Sequence, residues 1–233
     1  MAVCIILIAL GAICLTLFLI EKIRKYSVKA TMIKATTSFL FIVLAAYANY
    51  IHGNHQFGVY VIGGLAMGLL GDIWLGLKYA CKEEAKTFTF AGFCCFAVGH
   101  ILYIVGMMST LPYPTDWYAY LIPIGLGLLS GVAVILLEKP LKCHYGEYKA
   151  ISCIYGALLF TTVFTALYLT IAHGFQLPAY NMLFVGGVLF AVSDLILCGT
   201  YFSEGKERPV DLISNAVTYY AAQYIIAFSL FFL

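Results

Sequence analysis

Residues 2–20 read AVCIILIALGAICLTLFLI, a run of nineteen residues without a charged side chain. An α-helix needs about 20 predominantly apolar residues to cross the hydrocarbon core of a bilayer, so this run has a suitable length. The basic residues Lys22, Arg24 and Lys25 follow the run. A cleaved signal peptide has its positive residues first and a shorter apolar region. The run therefore predicts a first transmembrane helix that the protein retains.

The composition of the whole chain extends this prediction. Of its 233 residues, 63% are hydrophobic and 10% are charged, whereas soluble domains carry about 25% charged residues. Too few polar side chains are present to cover a water-facing surface. Further apolar segments lie at 31–48, 57–77, 88–108, 117–137, 150–172, 179–201 and 210–232. We therefore predict an all-α, polytopic membrane protein, with about eight transmembrane helices that form one domain over residues 1–233.

The basic residues predict how these helices are oriented. All thirteen Lys and Arg residues fall in the first, third, fifth and seventh connections, if Lys34 is counted with the first. They are Lys22, Arg24, Lys25, Lys29, Lys34, Lys78, Lys82, Lys86, Lys139, Lys142, Lys149, Lys206 and Arg208. Cytoplasmic connections carry the excess of basic residues, so both termini are predicted to lie outside the cytoplasm. The absence of tails and retention signals favours a bacterial plasma membrane over the endoplasmic reticulum membrane of a eukaryote.

Two acidic residues, Asp72 and Asp194, lie well inside apolar segments. An acid in a membrane helix costs ~2.5–3.5 kcal/mol on insertion scales and usually faces the bundle interior, where it serves a function. The alternative is an acid that is protonated or hydrogen-bonded to a neighbouring helix as a packing contact. At 1.5 Å per residue, both lie ~8–11 Å from the predicted cytoplasmic boundary. We expect the two carboxyl groups to face one cavity towards the inner leaflet.

Other polar residues are candidates for the wall of that cavity. His100 lies mid-helix, with Tyr103 about one turn further on. In the last segment Asn215, Tyr219 and Gln223 recur every four residues and share a helix face, which Tyr220 flanks. Such polar residues also join membrane helices to one another, so a packing role is the alternative. The sequence has no GxSxG or HExxH motif, and its eight cysteines show neither a zinc spacing nor a disulfide framework.

A weak internal similarity relates the third and seventh segments. The third contains GLAMGLLGDIWL (64–75) and the seventh GVLFAVSDLILC (187–198). Each places a small residue before an Asp that is followed by apolar residues. Helices three and seven run in the same direction, so we expect any repeat to be parallel. Small residues are common in membrane helices, which is the alternative explanation.

Four motifs resemble the YhhN family of membrane proteins. They are LLGDIWL (69–75), FAVGHILYI (96–104), LFAVSDLILC (189–198) and TYYAAQYIIAFS (218–229). Their order and spacing match the family, and the resemblance spans roughly residues 30–230. One position departs from it: the family has a proline close after a lysine in the second helix, whereas here Ala35 follows Lys34.

The resemblance implies a lysoplasmalogenase, which hydrolyses the vinyl ether bond of lysoplasmalogens to a fatty aldehyde and a glycerophosphocholine or glycerophosphoethanolamine. It implies Asp72 and Asp194 as a catalytic acid/base pair and needs no metal or organic cofactor. Substrate contacts are expected from His100, Tyr103, Tyr219, Tyr220, Gln223, Asn215 and Lys34, the last towards the lipid phosphate. The expected partners are the lysophospholipid substrate and membrane lipids, not nucleic acid, and the oligomeric state stays open.

Two other functions compete with this interpretation. A proton- or cation-coupled transporter of small molecules or lipids would use the same two acids as carriers. A lipid-binding or regulatory membrane protein would hold them as structural groups. If the acids are catalytic, the sequence predicts that Asn at either position abolishes hydrolysis and leaves folding largely intact.

Overall fold

The computed structural model describes residues 2–24, 27–52, 55–112, 114–203 and 208–232. This part of the chain is helical and contains eight long α-helices, which confirms the predicted all-α architecture. They are α1 (Ala2–Arg24), α2 (Val28–His52), α3 (His55–Ala80), α4 (Ala85–Met108), α5 (Tyr118–Leu136), α6 (Lys149–Ala172), α7 (Pro178–Phe202) and α8 (Pro209–Ser229). The internal repeat stays a prediction.

Seven of the described helices, α1 to α7, are long and apolar enough to cross a membrane. This supports an integral membrane protein. The polar residues of α8 lie inside the bundle, since Asn215 and Tyr219 are buried and Gln223 is fully buried. Helix α8 packs against α7 and also contacts α1, α2 and α3. The composition of α8 therefore reflects an interior position rather than a water-facing one.

Most sequential helices pack as neighbours, except that α4 packs against α6 rather than α5, and small residues bring two helices very close. Helices α5 and α6 meet at Gly127 and Gly131. A methyl group added to Gly131 would lie 2.6 Å from the backbone oxygen of Cys153, which is too close for any side chain. Close backbone approach through small residues is typical of helix pairs in lipid. The opposite face of α5 exposes large apolar residues such as Leu128 and Leu129, as a lipid-facing helix must.

Lys34 does not lie in a connection, which corrects the prediction. Helix α2 runs from Val28 to His52, so Lys34, which the apolar segment 31–48 already contained, belongs to the helix and not to the connection. The start at Val28 follows from residues that favour a helix, since no proline or glycine interrupts the sequence between Val28 and Lys34. Its ammonium group forms an ion pair with Asp72 of α3. Two other basic residues of the predicted pattern, Lys25 and Lys206, lie outside the described residues.

The odd-numbered connections meet at one end of the bundle, which we call the basic end. Lys86, beside the third connection, pairs with Glu147 of the fifth. The fifth connection contacts the end of α7, where the backbone N–H of His144 donates to the carbonyl of Phe202 at 2.7 Å. Within the fifth, Lys149 hydrogen-bonds Glu138 and lowers the pKa of its carboxyl group. The predicted clustering of basic residues at one end is therefore matched by contacts between these connections.

The predicted orientation is testable by labelling from one side of the membrane. If the basic end is cytoplasmic, exposed Cys81 reacts with an impermeant maleimide only from the cytoplasmic side. A cysteine at exposed Gln176, in the sixth connection, should react only from the outside. Gly53 of the second connection lies outside the described residues and is less suitable. A Cys81→Ser variant controls for the other native thiols, and reversed sidedness at both positions would overturn the orientation.

Candidate active site

A cavity of about 320 Å³ lies within the bundle, and all eight helices contribute to its wall. Its inner part is largely apolar, with side chains such as Phe93, Phe96 and Leu159. It extends towards the basic end, where Tyr79 and Tyr201 line it. Ligand sites of this kind are mostly apolar with a few polar groups that orient the ligand. Both Asp72 and Asp194 lie on this wall, as the sequence predicted.

The carboxyl group of Asp72 is almost completely buried, with 2% of the side chain exposed. Lys34 Nζ lies 2.8 Å from its Oδ1 atom. The hydroxyl groups of Ser38 and Tyr219 donate hydrogen bonds to Oδ2 at 2.6 and 2.8 Å. A cation and two hydroxyl donors together stabilise a negatively charged carboxylate in a poorly solvated place. The arrangement is that of a fixed anion.

Helices α2 and α8 hold these donors in place. Lys34 and Ser38 are four residues apart on α2 and therefore share the face that meets α3. The Tyr220 hydroxyl lies 3.1 Å from the carbonyl oxygen of Lys34, to which it donates, and 3.2 Å from Ser38 Oγ. Helix α2 continues without a break through Ala35, where the family has its proline. Alanine at position 35 is therefore compatible with a regular helix around Lys34.

Asp194 has a different environment. Its Oδ2 atom accepts a hydrogen bond from the Tyr155 hydroxyl group of α6. Within the described ranges no Lys, Arg or His nitrogen lies within 4.0 Å of its carboxyl group. Beside it, the Asn215 amide donates to the Ser193 carbonyl oxygen at 2.8 Å and joins α8 to α7. Asp194 therefore sits on a rigid helix pair with a neutral partner, whereas Asp72 has a cationic one.

Three predicted substrate contacts lie behind the wall rather than on it. The Tyr103 hydroxyl donates to Gln223 Oε1 at 3.3 Å, and Gln223 Nε2 donates to the Tyr219 hydroxyl oxygen at 3.1 Å. These two hydrogen bonds hold the Tyr219 hydroxyl group in the orientation that faces Asp72. His100 Nδ1 lies 3.1 Å from Thr162 Oγ1. His100, Tyr103 and Gln223 do not line the cavity but lie behind residues that do. Their contact with substrate stays a prediction.

The remaining predicted residues do line the cavity. They are Lys34, Asn215, Tyr219 and Tyr220, together with the two acids. Sequence reasoning missed Ser38, Tyr155 and Lys22. Ser38 and Tyr155 lie in apolar segments where single polar residues are ordinary, so no local signal marks them. Lys22 was assigned only to the basic connection, although it is in the last turn of α1 and lines the cavity.

Comparison with known proteins gives one match. A model described as the YhhN family matches residues 29–230, which covers α3 to α8 and nearly all of α2. Comparisons with curated proteins and with solved structures gave no match. Both acids and the ion-paired Lys34 lie inside the matched range, whereas Lys22 precedes it.

Proposed function

Because the chain belongs to the YhhN family, which includes lysoplasmalogenases, we propose that it hydrolyses the vinyl ether bond of lysoplasmalogens. The products would be a fatty aldehyde and a glycerophosphocholine or glycerophosphoethanolamine. The observation that supports this proposal is the pair of acids on one cavity wall, one with a cationic partner and one with a neutral partner. The proposed mechanism uses one carboxyl group as a proton donor and the other, as a carboxylate, to stabilise the cation that forms.

The reaction begins with a proton transfer to carbon. An acid protonates the alkene carbon remote from the ether oxygen, which leaves an oxocarbenium ion. Water adds to the cationic carbon and loses a proton to a base. The hemiacetal then breaks its bond to the glycerol oxygen, which takes the proton that the base received from water. The hemiacetal hydroxyl group returns a proton to the acid as the aldehyde leaves, so both groups regain their starting states. A fixed negative charge near the cation lowers the barrier, as a second carboxylate does in glycosidases, which also pass through an oxocarbenium-like state.

We assign the proton donor to Asp194. Its neighbours are apolar residues and the Tyr155 hydroxyl group, and a carboxyl group without a cationic partner in such surroundings favours its neutral form. Asp72 is the carboxylate that stabilises the oxocarbenium ion and accepts the proton from water, because Lys34, Ser38 and Tyr219 keep it charged. The roles follow from the partners of each acid.

The shape of the cavity suits an amphiphile with one chain. Apolar side chains of the inner part, such as Phe93, Phe96 and Leu159, can contain the alkenyl chain. Tyr79, Tyr145 and Tyr201 line the part towards the basic end. Tyrosine faces attract quaternary ammonium groups. Because Lys78 Nζ lies 4.8 Å from the centre of the Tyr79 ring and 3.2 Å from that of Tyr201, the ring suited to a choline headgroup among these three is that of Tyr145.

Release of aldehyde by the purified protein tests the proposal. Protein in detergent micelles should convert a lysoplasmenylcholine to aldehyde and glycerophosphocholine in equal amounts. The matching lipid with a saturated ether should not react, because it has no alkene to protonate. A transporter would release no aldehyde, and its activity could be measured only across a sealed compartment. Absence of aldehyde from folded protein would therefore refute hydrolysis and favour transport or lipid binding.

Hydrolysis in heavy water tests the proton transfer. If Asp194 protonates the alkene carbon, the aldehyde formed in D₂O carries one deuterium on carbon 2. Mass spectrometry of aldehyde trapped at early times measures this label, and unlabelled aldehyde incubated with the protein controls for later exchange. An aldehyde that forms without deuterium on that carbon would exclude protonation of the alkene.

A further inference from the structure

Lys22 is a basic side chain on the cavity wall that the mechanism does not use. It lies in the last turn of α1 and is partly buried, with its Nζ atom 5.5 Å from the centre of the Phe18 ring. Lys34 and Asp72 line the same cavity. Across the described part of the chain, no carboxylate oxygen lies within 4.0 Å of Lys22 Nζ.

The nearest ion pair on the cavity wall does not compensate the charge of Lys22. Lys34 and Asp72 neutralise each other at 2.8 Å, so they do not compensate Lys22. A partly buried cation without a counter-ion is costly, and an anionic ligand removes that cost. The partly buried ammonium group of Lys22 is therefore suited to bind a phosphate group.

We propose that Lys22 binds the phosphate group of the lysophospholipid headgroup. The identity of the lipid rests on the proposed function, whereas the phosphate site rests on the charges above. Lys34 is the phosphate contact that the sequence suggested, but its ammonium group is held by Asp72. Lys22 is better suited than Lys34 to bind the phosphate group, because it lines the cavity and its charge is not offset by a carboxylate.

The position of Lys22 gives this contact a second consequence. A phosphate held at the end of α1 leaves the glycerol backbone to extend inwards, towards Asp72 and Asp194 on the same wall. The headgroup contact therefore sets how deep the vinyl ether enters. Lys22 precedes the range matched by the family model, so this contact belongs to α1 and not to the matched segment.

Binding of an inert lipid tests Lys22 independently of catalysis. The ligand is a lysophosphatidylcholine with a saturated 1-O-alkyl ether, and its partner is the corresponding alkylglycerol, which lacks the phosphate. Lys22→Met should weaken binding of the phospholipid ~10–100-fold, the range expected for loss of a charge-assisted contact, and leave alkylglycerol binding unchanged. Lys22→Arg should retain most of the affinity. Lys82→Met, at an exposed lysine of the basic end, should bind both ligands normally.

The outcomes separate this proposal from the proposed function. Equal binding of the phospholipid by Lys22→Met and the unmodified protein, or equal weakening of both ligands, overturns the headgroup site even if aldehyde is released. Selective loss of phospholipid binding without aldehyde release supports the site and refutes the hydrolase. Inorganic phosphate is titrated as well: if Lys22→Met loses only that binding, the site is for free phosphate and the headgroup proposal falls. Lys22→Gln repeats each measurement if Lys22→Met unfolds.

Discussion

Asp194→Asn is expected to lower vinyl ether hydrolysis by ~10²–10⁴-fold, the usual effect of removing a general acid. Asparagine keeps the size of the side chain but has no carboxyl proton to transfer to the alkene. The fold should survive, because the Tyr155 hydroxyl group can donate to the amide oxygen as it does to the carboxyl oxygen. Turnover per folded molecule and the thermal unfolding temperature in detergent are the two measurements.

Asp116→Asn is a matched control for this variant. Asp116 also accepts a hydrogen bond from a tyrosine hydroxyl group, that of Tyr118 at 2.7 Å, but it is exposed and lies outside the cavity. Its replacement should change neither turnover nor stability. Near-normal turnover of folded Asp194→Asn protein would show that Asp194 is not the acid. A loss of activity that only follows a loss of folded protein would assign it a structural role.

Asp72→Asn is expected to abolish activity and also to destabilise the protein, by ~3–5 kcal/mol, the usual effect of removing one member of a buried ion pair. The sequence predicted an intact fold for this variant. The ion pair changes that expectation, because asparagine leaves the ammonium group of Lys34 without its counter-ion, and only 16% of the Lys34 side chain is exposed. Thermal unfolding in detergent measures the loss. Lys34→Met should destabilise the protein similarly by leaving the carboxylate unpaired.

The double variant Lys34→Met/Asp72→Asn separates catalysis from stability. With both members of the pair neutral, neither is left as an unpaired buried ion, so stability should recover most of the loss while hydrolysis stays absent. Lys149→Met is a control at an ion pair whose lysine is 51% exposed, where the expected change in stability is about 0–1 kcal/mol. Additive destabilisation in the double variant would mean that Lys34 and Asp72 are not coupled. Recovery of activity in it would refute a catalytic carboxylate at Asp72.

The helices of this protein could be predicted from its sequence because lipid imposes a strict composition on a membrane-spanning segment. Runs such as residues 2–20 permit almost no other structure, since backbone groups in a bilayer must be paired within the segment. The same rule made Asp72 and Asp194 conspicuous, because an acid in such a run is costly unless it faces the interior. The polar face of α8, with Asn215, Tyr219 and Gln223, was visible for the same reason, and it is buried as its spacing indicates.

The partners of the two acids were decided only by the tertiary structure. In lipid, the inward and outward faces of a helix are both apolar, so sequence periodicity does not indicate how most helices are rotated. The pairing of Lys34 with Asp72 depends on the packing of α2 on α3, which turns Lys34 towards α3. The pairing of Tyr155 with Asp194 joins residues 39 positions apart through the packing of α6 on α7. The different states proposed for the two acids therefore come from helix packing, because each neighbouring group that sets them lies on another helix.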